Sequence, residues 1–194
     1  MVYRQILFLY LIILTLDTNN QNINNIKILK GTDTYLSYDC KDSCMIIYKD
    51  YSIITKRHLD SPGEDIFVVN NKTKEKTIVD VKNNYKAQNF LGLIKDKLLI
   101  DAGTYIIREF YIYDLKTQKT IFKNSYDKEL KIINNKITYI YVYSGSEKPK
   151  QLPSADQKKE IEKIGIDYGI VEDRIYDILT NKVIMTGKPK YSTY

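Results

Sequence analysis

The chain has 194 residues, 43% hydrophobic and 28% charged, a balance that excludes a disordered, collagen-like or low-complexity polymer and fits one folded domain. Its net charge of +6 arises from 30 basic and 24 acidic residues. These alternate, as in Lys72-Thr73-Lys74-Glu75-Lys76, so they read as solvated turns, a nucleic-acid partner is excluded, and mild attraction to an acidic protein stays open.

At the N-terminus, Arg4 precedes the apolar run from Ile6 to Leu16, the pattern of an export signal. The run is shorter than the ~20 apolar residues a spanning helix needs, so no stable membrane span is expected after cleavage. No A-x-A pattern follows it, and removal is expected near Thr18. The expected organisation is a signal peptide over 1–18, a flexible asparagine-rich leader over 19–31 and a single β-rich domain over 32–194, exported to the periplasm or beyond the cell.

The two cysteines, Cys40 and Cys44, flank Lys41-Asp42-Ser43. In an exported chain an even count invites pairing, and a three-residue loop between two strands would set the sulfurs opposite each other, so a hairpin disulfide is expected. Two thiols and the single histidine, His58, are too few for a zinc site, and no metal or cofactor is expected.

From Thr32 onward, short runs rich in Ile, Val, Tyr, Phe and Thr alternate with Asn-Asn, Asp-Lys or Pro-Gly punctuation. The expected strands are 34–38, 45–48, 52–56, 65–70, 75–81, 90–94, 97–102, 108–114, 119–123, 129–133, 136–143, 174–177 and 183–186. In the run Ile137 to Tyr143 one face carries Ile137, Tyr139, Tyr141 and Tyr143, and the other Thr138, Ile140 and Val142, so both faces should be at least partly covered. An insertion over 144–173 differs in composition. There Ser154 and Gln157 form a capping box ahead of one short helix that Gly165 ends.

Three stretches repeat one pattern, an apolar strand, a turn opened by Asn70, Asp114 or Asp177, a Thr three residues later, and a second strand. An Asp or Asn at the first turn position can accept from backbone amides ahead of it. The first copy aligns with the other two only with one extra residue after its turn. Thr73 and Thr117 are 44 residues apart, the period of a propeller blade, and Thr117 and Thr180 are 63 apart, the excess falling in the insertion. These hairpins, above all Phe110-Tyr111-Ile112-Tyr113-Asp114-Leu115-Lys116-Thr117-Gln118-Lys119, resemble the outer strands of bacterial β-propeller proteins of the WD-like and quinoprotein-like kind. The resemblance implies an all-β fold of about three to four antiparallel, propeller-like meander units with one short helix in an insertion.

Catalytic signals are sparse. His58 sits in Lys56-Arg57-His58-Leu59-Asp60-Ser61-Pro62-Gly63, which reads as a polar loop ending in a turn. Asp101 and Glu109 flank a segment that ends in Arg108, and a tight hairpin could bring them together for glycosidase-type work; Glu64 and Asp65 after Pro62-Gly63 carry no better signal. Asn71-Lys72-Thr73 is a formal glycosylation sequon. The expected function is therefore an exported, non-enzymatic domain that binds a protein partner through its loops or the insertion, as an inhibitor or immunity-type protein. The alternatives are an envelope-polymer or carbohydrate hydrolase using Asp101 and Glu109, and a structural subunit of an envelope assembly.

Overall fold

The computed structural model describes residues 26–30, 42–81, 87–103, 107–144, 147–164 and 168–193. Among the described residues, thirteen strands and one helix follow in order: β1 Ile26–Lys30, β2 Ser43–Ile47, β3 Tyr51–Arg57, β4 Glu64–Asn70, β5 Lys76–Val79, β6 Gln88–Ile94, β7 Lys97–Ala102, β8 Ile107–Asp114, β9 Lys119–Ile133, β10 Lys136–Val142, α1 Ala155–Ile164, β11 Tyr168–Asp177, β12 Lys182–Met185 and β13 Lys190–Thr193. One sheet runs β1-β2-β3-β4-β5 and the other β12-β11-β10-β9-β8-β7-β6, with β13 joined to β11. Every pairing is antiparallel except β1 with β2.

The all-β class and the short helix after Ser154 match the sequence pattern, and three segments correct it. Part of the expected flexible leader is a strand: Ile26–Lys30 pairs in parallel with Ser43–Ile47. The runs 119–123 and 129–133 form one strand, β9, because its first half pairs β8 while its second half pairs β10, and bulges at both pairings let it bend. The insertion is shorter than expected, since 168–173 opens β11 and is secured by β13. Ser154 caps α1, its Oγ accepting from the Gln157 amide at 3.3 Å. The segment 34–38, Cys40 and Gly165 lie outside the described residues.

The strands group into three units of one build. Unit 1 is β2 to β5, unit 2 is β6 to β8 with the first half of β9, and unit 3 is the second half of β9 with β10 to β12. In each, the Asx residue that opens the last turn accepts two backbone amides: Asn70 from Lys72 and Thr73, Asp114 from Lys116 and Thr117, Asp177 from Leu179 and Thr180, all at 2.8 to 3.1 Å. Each turn ends on a residue with positive φ: Lys74 at 63°, Gln118 at 53° and Asn181 at 56°. The flanks pair as Asn70 with Glu75, Asp114 with Lys119 and Asp177 with Lys182, so the turns are equal in length. Each turn also docks on its unit's neighbouring hairpin tip, where the carbonyls of Asp50, Asp96 and Asn135 accept from the amides of Asn71, Leu115 and Ile178.

Alternation along each strand gives every unit two faces. The face of unit 1 carrying Tyr48, Ile53, Ile66 and Val68 packs on the face of unit 2 carrying Leu93, Leu98, Ile100 and Tyr111 in one buried cluster. The seam is also hydrogen-bonded: the Phe90 amide donates to Glu64 at 2.5 Å and the Gln88 side-chain amide donates to the Val79 carbonyl at 2.8 Å. The opposite face of unit 2, with Ile94, Leu99, Phe110 and Ile112, shares a second cluster with Ile137, Tyr139, Tyr141 and Tyr176 of unit 3. Because both units own β9, this is one sheet folded on itself. Strands two apart in a flat sheet are ~9.5 Å apart, yet the Phe110 and Tyr139 rings lie 4.9 Å apart and Phe122 stacks on Tyr176 at 3.9 Å.

The tyrosines that fill this core keep their hydroxyls bonded, as buried phenols must. Tyr139 accepts from Asn124 at 2.9 Å, Tyr126 donates to Asp101 at 2.7 Å, and Tyr176 donates to Asn181 at 2.9 Å.

Candidate functional site

The register decides the fate of the acid pair. Asp101 lies opposite Phe110 and Ala102 opposite Glu109, and since directly paired residues share a face while sequence neighbours do not, Asp101 and Glu109 point to opposite faces of the sheet. The hydrolase geometry expected from these two residues is therefore not formed. Asp101 is buried beside Phe110, ion-paired with Arg108 and bonded by Tyr126. Glu109, on the other side, pairs with Lys123 at 2.9 Å and accepts from Tyr111.

His58 occupies the β3–β4 connection, its amide bonded to the Gly63 carbonyl and its Nε2 3.0 Å from Asp65. Gly63 takes a φ of 104°, which only glycine adopts without strain, as the Pro62-Gly63 dipeptide implies. In the sequon, the Asn71 amide group donates to the Tyr48 carbonyl at 2.9 Å while its oxygen accepts from the buried Ser52 hydroxyl at 2.7 Å. Both ends of the Asn71 side chain thus stitch the β2–β3 tip to the β4–β5 turn, a structural role. Cys44 is fully buried in β2, and its proposed partner Cys40 lies outside the described residues. Among the described residues no group of three or more His, Cys, Asp or Glu side chains could hold a metal ion, and no helix is long and apolar enough to cross a membrane.

The concavity worth attention lies where units 1 and 2 meet at their turn ends. It is a cleft of about 430 Å³ between the β2–β3 tip, the β4–β5 turn, the β6–β7 turn and the β8–β9 turn. Tyr48, Tyr51 and Leu93 form its apolar wall, and Lys49, Lys72, Lys95 and Lys116 stand around it with Asp50 and Asp96. Each lysine comes from a different turn, so the repeat architecture itself gathers the charge. Four lysines against two aspartates leave the lining net positive.

Its electrostatics are partly self-compensated. Lys72 reaches Asp50 at 3.1 Å, and Lys116 reaches Asp96 at 2.7 Å. Behind the rim, Lys97 bridges Asp96 and Asp114. Burial alone would raise the Asp96 carboxyl, but hydrogen bonds from Lys116 and Lys97 outweigh it and hold its pKa below the ordinary value. Asp114 behaves likewise, with burial overcome by Lys97 and by the Thr117 and Lys116 amides. Burial raises the Tyr51 phenol, and Asp96 adds to that, so Tyr51 stays a neutral donor in the cleft wall. Lys49 and Lys95 are exposed and have no ion-pair partner among the described residues.

Lysines scattered at 49, 72, 95 and 116 carry no local signal in sequence. Their spacing of 21 to 23 residues follows the alternation of tips and turns, and only the pairing of units 1 and 2 brings them to one place.

A protein of Amsacta moorei entomopoxvirus, provisionally named glycylpeptide N-tetradecanoyltransferase, is 30% identical to the chain over 149 residues, which cover 69% of this chain and 48% of that protein. The chain spans about half the length of the curated relative it matches. No family model and no solved structure matches it.

Proposed function

We propose that the chain is an exported, non-enzymatic protein-binding module of propeller-like repeats, an inhibitor or immunity-type protein, whose contact surface is the lysine-rimmed cleft between its first two units. The observation that carries this reading is the convergence of Lys49, Lys72, Lys95 and Lys116 around a wall of Tyr48, Tyr51 and Leu93. Such a surface suits an acidic segment of a partner that lays a carboxylate among the lysines and an apolar side chain on the tyrosines. The repeated Asx turns hold all four hairpin ends in fixed positions, so little ordering cost falls on binding.

The N-terminal Arg4 and the run Ile6 to Leu16 support export, and the three equivalent units support the propeller-like description. The activity in the relative's name, transfer of a tetradecanoyl group to a glycyl peptide, is not carried over: only half of that protein is shared, and a cleft rimmed by lysine and aspartate is a poor seat for an acyl chain.

The test is capture of a partner from the exported fraction with the wild-type chain, followed by titration of the purified partner against a Lys49→Glu/Lys95→Glu variant. Exposed charge pairs contribute about 0.2–1 kcal/mol each, so reversing two cations weakens binding about tenfold, mainly through slower association at low salt. Equal affinity and equal salt dependence in the two proteins would refute the cleft as the contact surface. Deleting 148–165 serves as the control. That insertion leaves from the end of unit 3 opposite its Asn134–Asn135 tip, and its loss leaves binding intact if the cleft is the site.

A further inference from the structure

Units 1 and 2 carry the same charged constellation at their turn ends, and unit 3 does not. The turn that docks on each hairpin tip sets the equivalence: Asn71 on Asp50, Leu115 on Asp96 and Ile178 on Asn135. The residue before each tip carbonyl is then Lys49, Lys95 or Asn134, and the residue after each docked amide is Lys72, Lys116 or Leu179. In the first two units the turn lysine pairs with the tip aspartate, Lys72 with Asp50 at 3.1 Å and Lys116 with Asp96 at 2.7 Å. Unit 3 makes the same backbone docking with Asn134, Asn135 and Leu179, so the fold does not require the lysines or the aspartates. Lys95 is also an unfavourable residue for its turn. Its φ of 56° is left-handed, a region that asparagine enters more readily than lysine, and Asn134 holds the same place in unit 3 at 51°. A lysine held against the local backbone preference points to a role in binding.

The two constellations lie side by side on the cleft of about 430 Å³. Asp50 and Asp96 are each neutralised by a turn lysine, which leaves Lys49 and Lys95, both exposed and without an ion-pair partner among the described residues, as two uncompensated cations. Four lysines against two aspartates give the lining a surplus of two positive charges. We propose that the cleft is a phosphomonoester site: Lys49 and Lys95 hold the dianionic phosphate between them, and the wall of Tyr48, Tyr51 and Leu93 receives the organic group of the ester. This rests on the reading of the cleft as the contact surface and names the group that surface takes. A phosphate monoester carries about −1.5 to −2 charges at neutral pH, so one group matches the surplus that a single carboxylate would leave half unmet. The cations suit it as well. Each ammonium is a compact point charge with three donors, the form in which lysine binds phosphate, whereas carboxylates are held best by the bidentate fork of arginine. The Tyr51 phenol, kept neutral by burial and by Asp96, adds a donor in the wall.

Calorimetric titration of the full chain with phenyl phosphate, phenyl sulfate and inorganic phosphate tests the assignment, since the sulfate has the same shape and a single charge. Phenyl phosphate is expected to bind with a dissociation constant of about 0.1–1 mM, roughly fivefold tighter than either control. Its binding weakens as pH falls through ~6, where the phosphate takes up a second proton. Lys95→Asn, which gives the tip the residue of unit 3, keeps the wild-type melting temperature and weakens phenyl phosphate roughly fivefold; Lys49→Gln/Lys95→Asn weakens it by roughly tenfold or more. A tyrosine-phosphorylated peptide forms a second arm. Tighter binding than phenyl phosphate assigns the ester to a protein side chain, and equal binding assigns it to a small molecule. No binding at about 10 mM, equal affinity for phenyl sulfate, or binding indifferent to both substitutions would overturn the proposal. If phenyl phosphate fails while the captured partner still responds to Lys49→Glu/Lys95→Glu, the phosphate is refuted and the contact surface stands. A partner indifferent to that variant removes the contact surface itself.

Discussion

Asp114 allows the turn contribution to be separated from the charge contribution, because the chain already contains the control. Its carboxylate accepts the Lys116 and Thr117 amides at 2.8 and 3.0 Å and pairs with Lys97, whose side chain is 17% exposed. Asn70 performs the same amide contacts in unit 1 without a charge. Asp114→Asn should therefore keep the turn and lose only the ion pair, while Asp114→Ala loses both. Removing a side-chain acceptor of this capping kind costs about 0.5–2 kcal/mol, and losing a semi-buried charged partner adds about 1 kcal/mol. The alanine variant should then be less stable by about 1.5–3 kcal/mol, and the asparagine variant by about 1 kcal/mol. For a domain of this size each kcal/mol lowers Tm by about 2–4 °C. Because the native Asp114 pKa lies below its ordinary value, its contribution is present above pH ~4 and fades as pH falls through the native pKa. Calorimetry from pH 2 to 7 should show the wild-type advantage over Asp114→Asn shrinking on the acid side. Equal losses for Asn and Ala, or an advantage that grows on acidification, would refute this division of labour.

Three further outcomes follow from the packing and titration of individual residues. Ile112→Ala removes a fully buried side chain from the seam between units 2 and 3 and should cost about 3–4 kcal/mol in denaturant unfolding, whereas Ile184→Ala, at a 47% exposed position of unit 3, should cost far less. Burial, with the Asp177 charge adding to it, raises the Tyr176 phenol to about 12, so stability is lost as pH rises from ~10 through that value, and Tyr176→Phe should flatten the alkaline limb of a Tm–pH curve. A non-reducing mass spectrum should show the chain two hydrogens lighter than its reduced form if Cys40 and Cys44 pair as proposed, and the native N-terminus should begin near Thr18; an intact Met1 would turn the export signal into an anchor.

The sequence was most legible where local chemistry repeats. Asx turns at 70, 114 and 177 and the capped helix after Ser154 are short-range patterns whose hydrogen bonds close within a few residues, and the structure reproduces each of them. What could not be read was set by pairing at a distance. The polar stretch Asn124 to Lys128 looks like a break, yet β8 and β10 on either side carry it through as strand. Ile26–Lys30 follows an asparagine-rich segment and is strand only because β2 offers it an edge. Asp101 and Glu109 are close in sequence, and one step of register puts them on opposite faces. The lysine cleft is the extreme case, assembled from four turns that are neighbours only after units 1 and 2 stack.

Hydrogen exchange of the chain, alone and bound to its captured partner, tests the central claim most directly. Binding through the cleft predicts slowed exchange at the four turns that line it, residues 48–51, 70–73, 93–96 and 115–117, with little change in the insertion over 144–167. Protection confined to the insertion or to unit 3, with these turns unchanged, would contradict it.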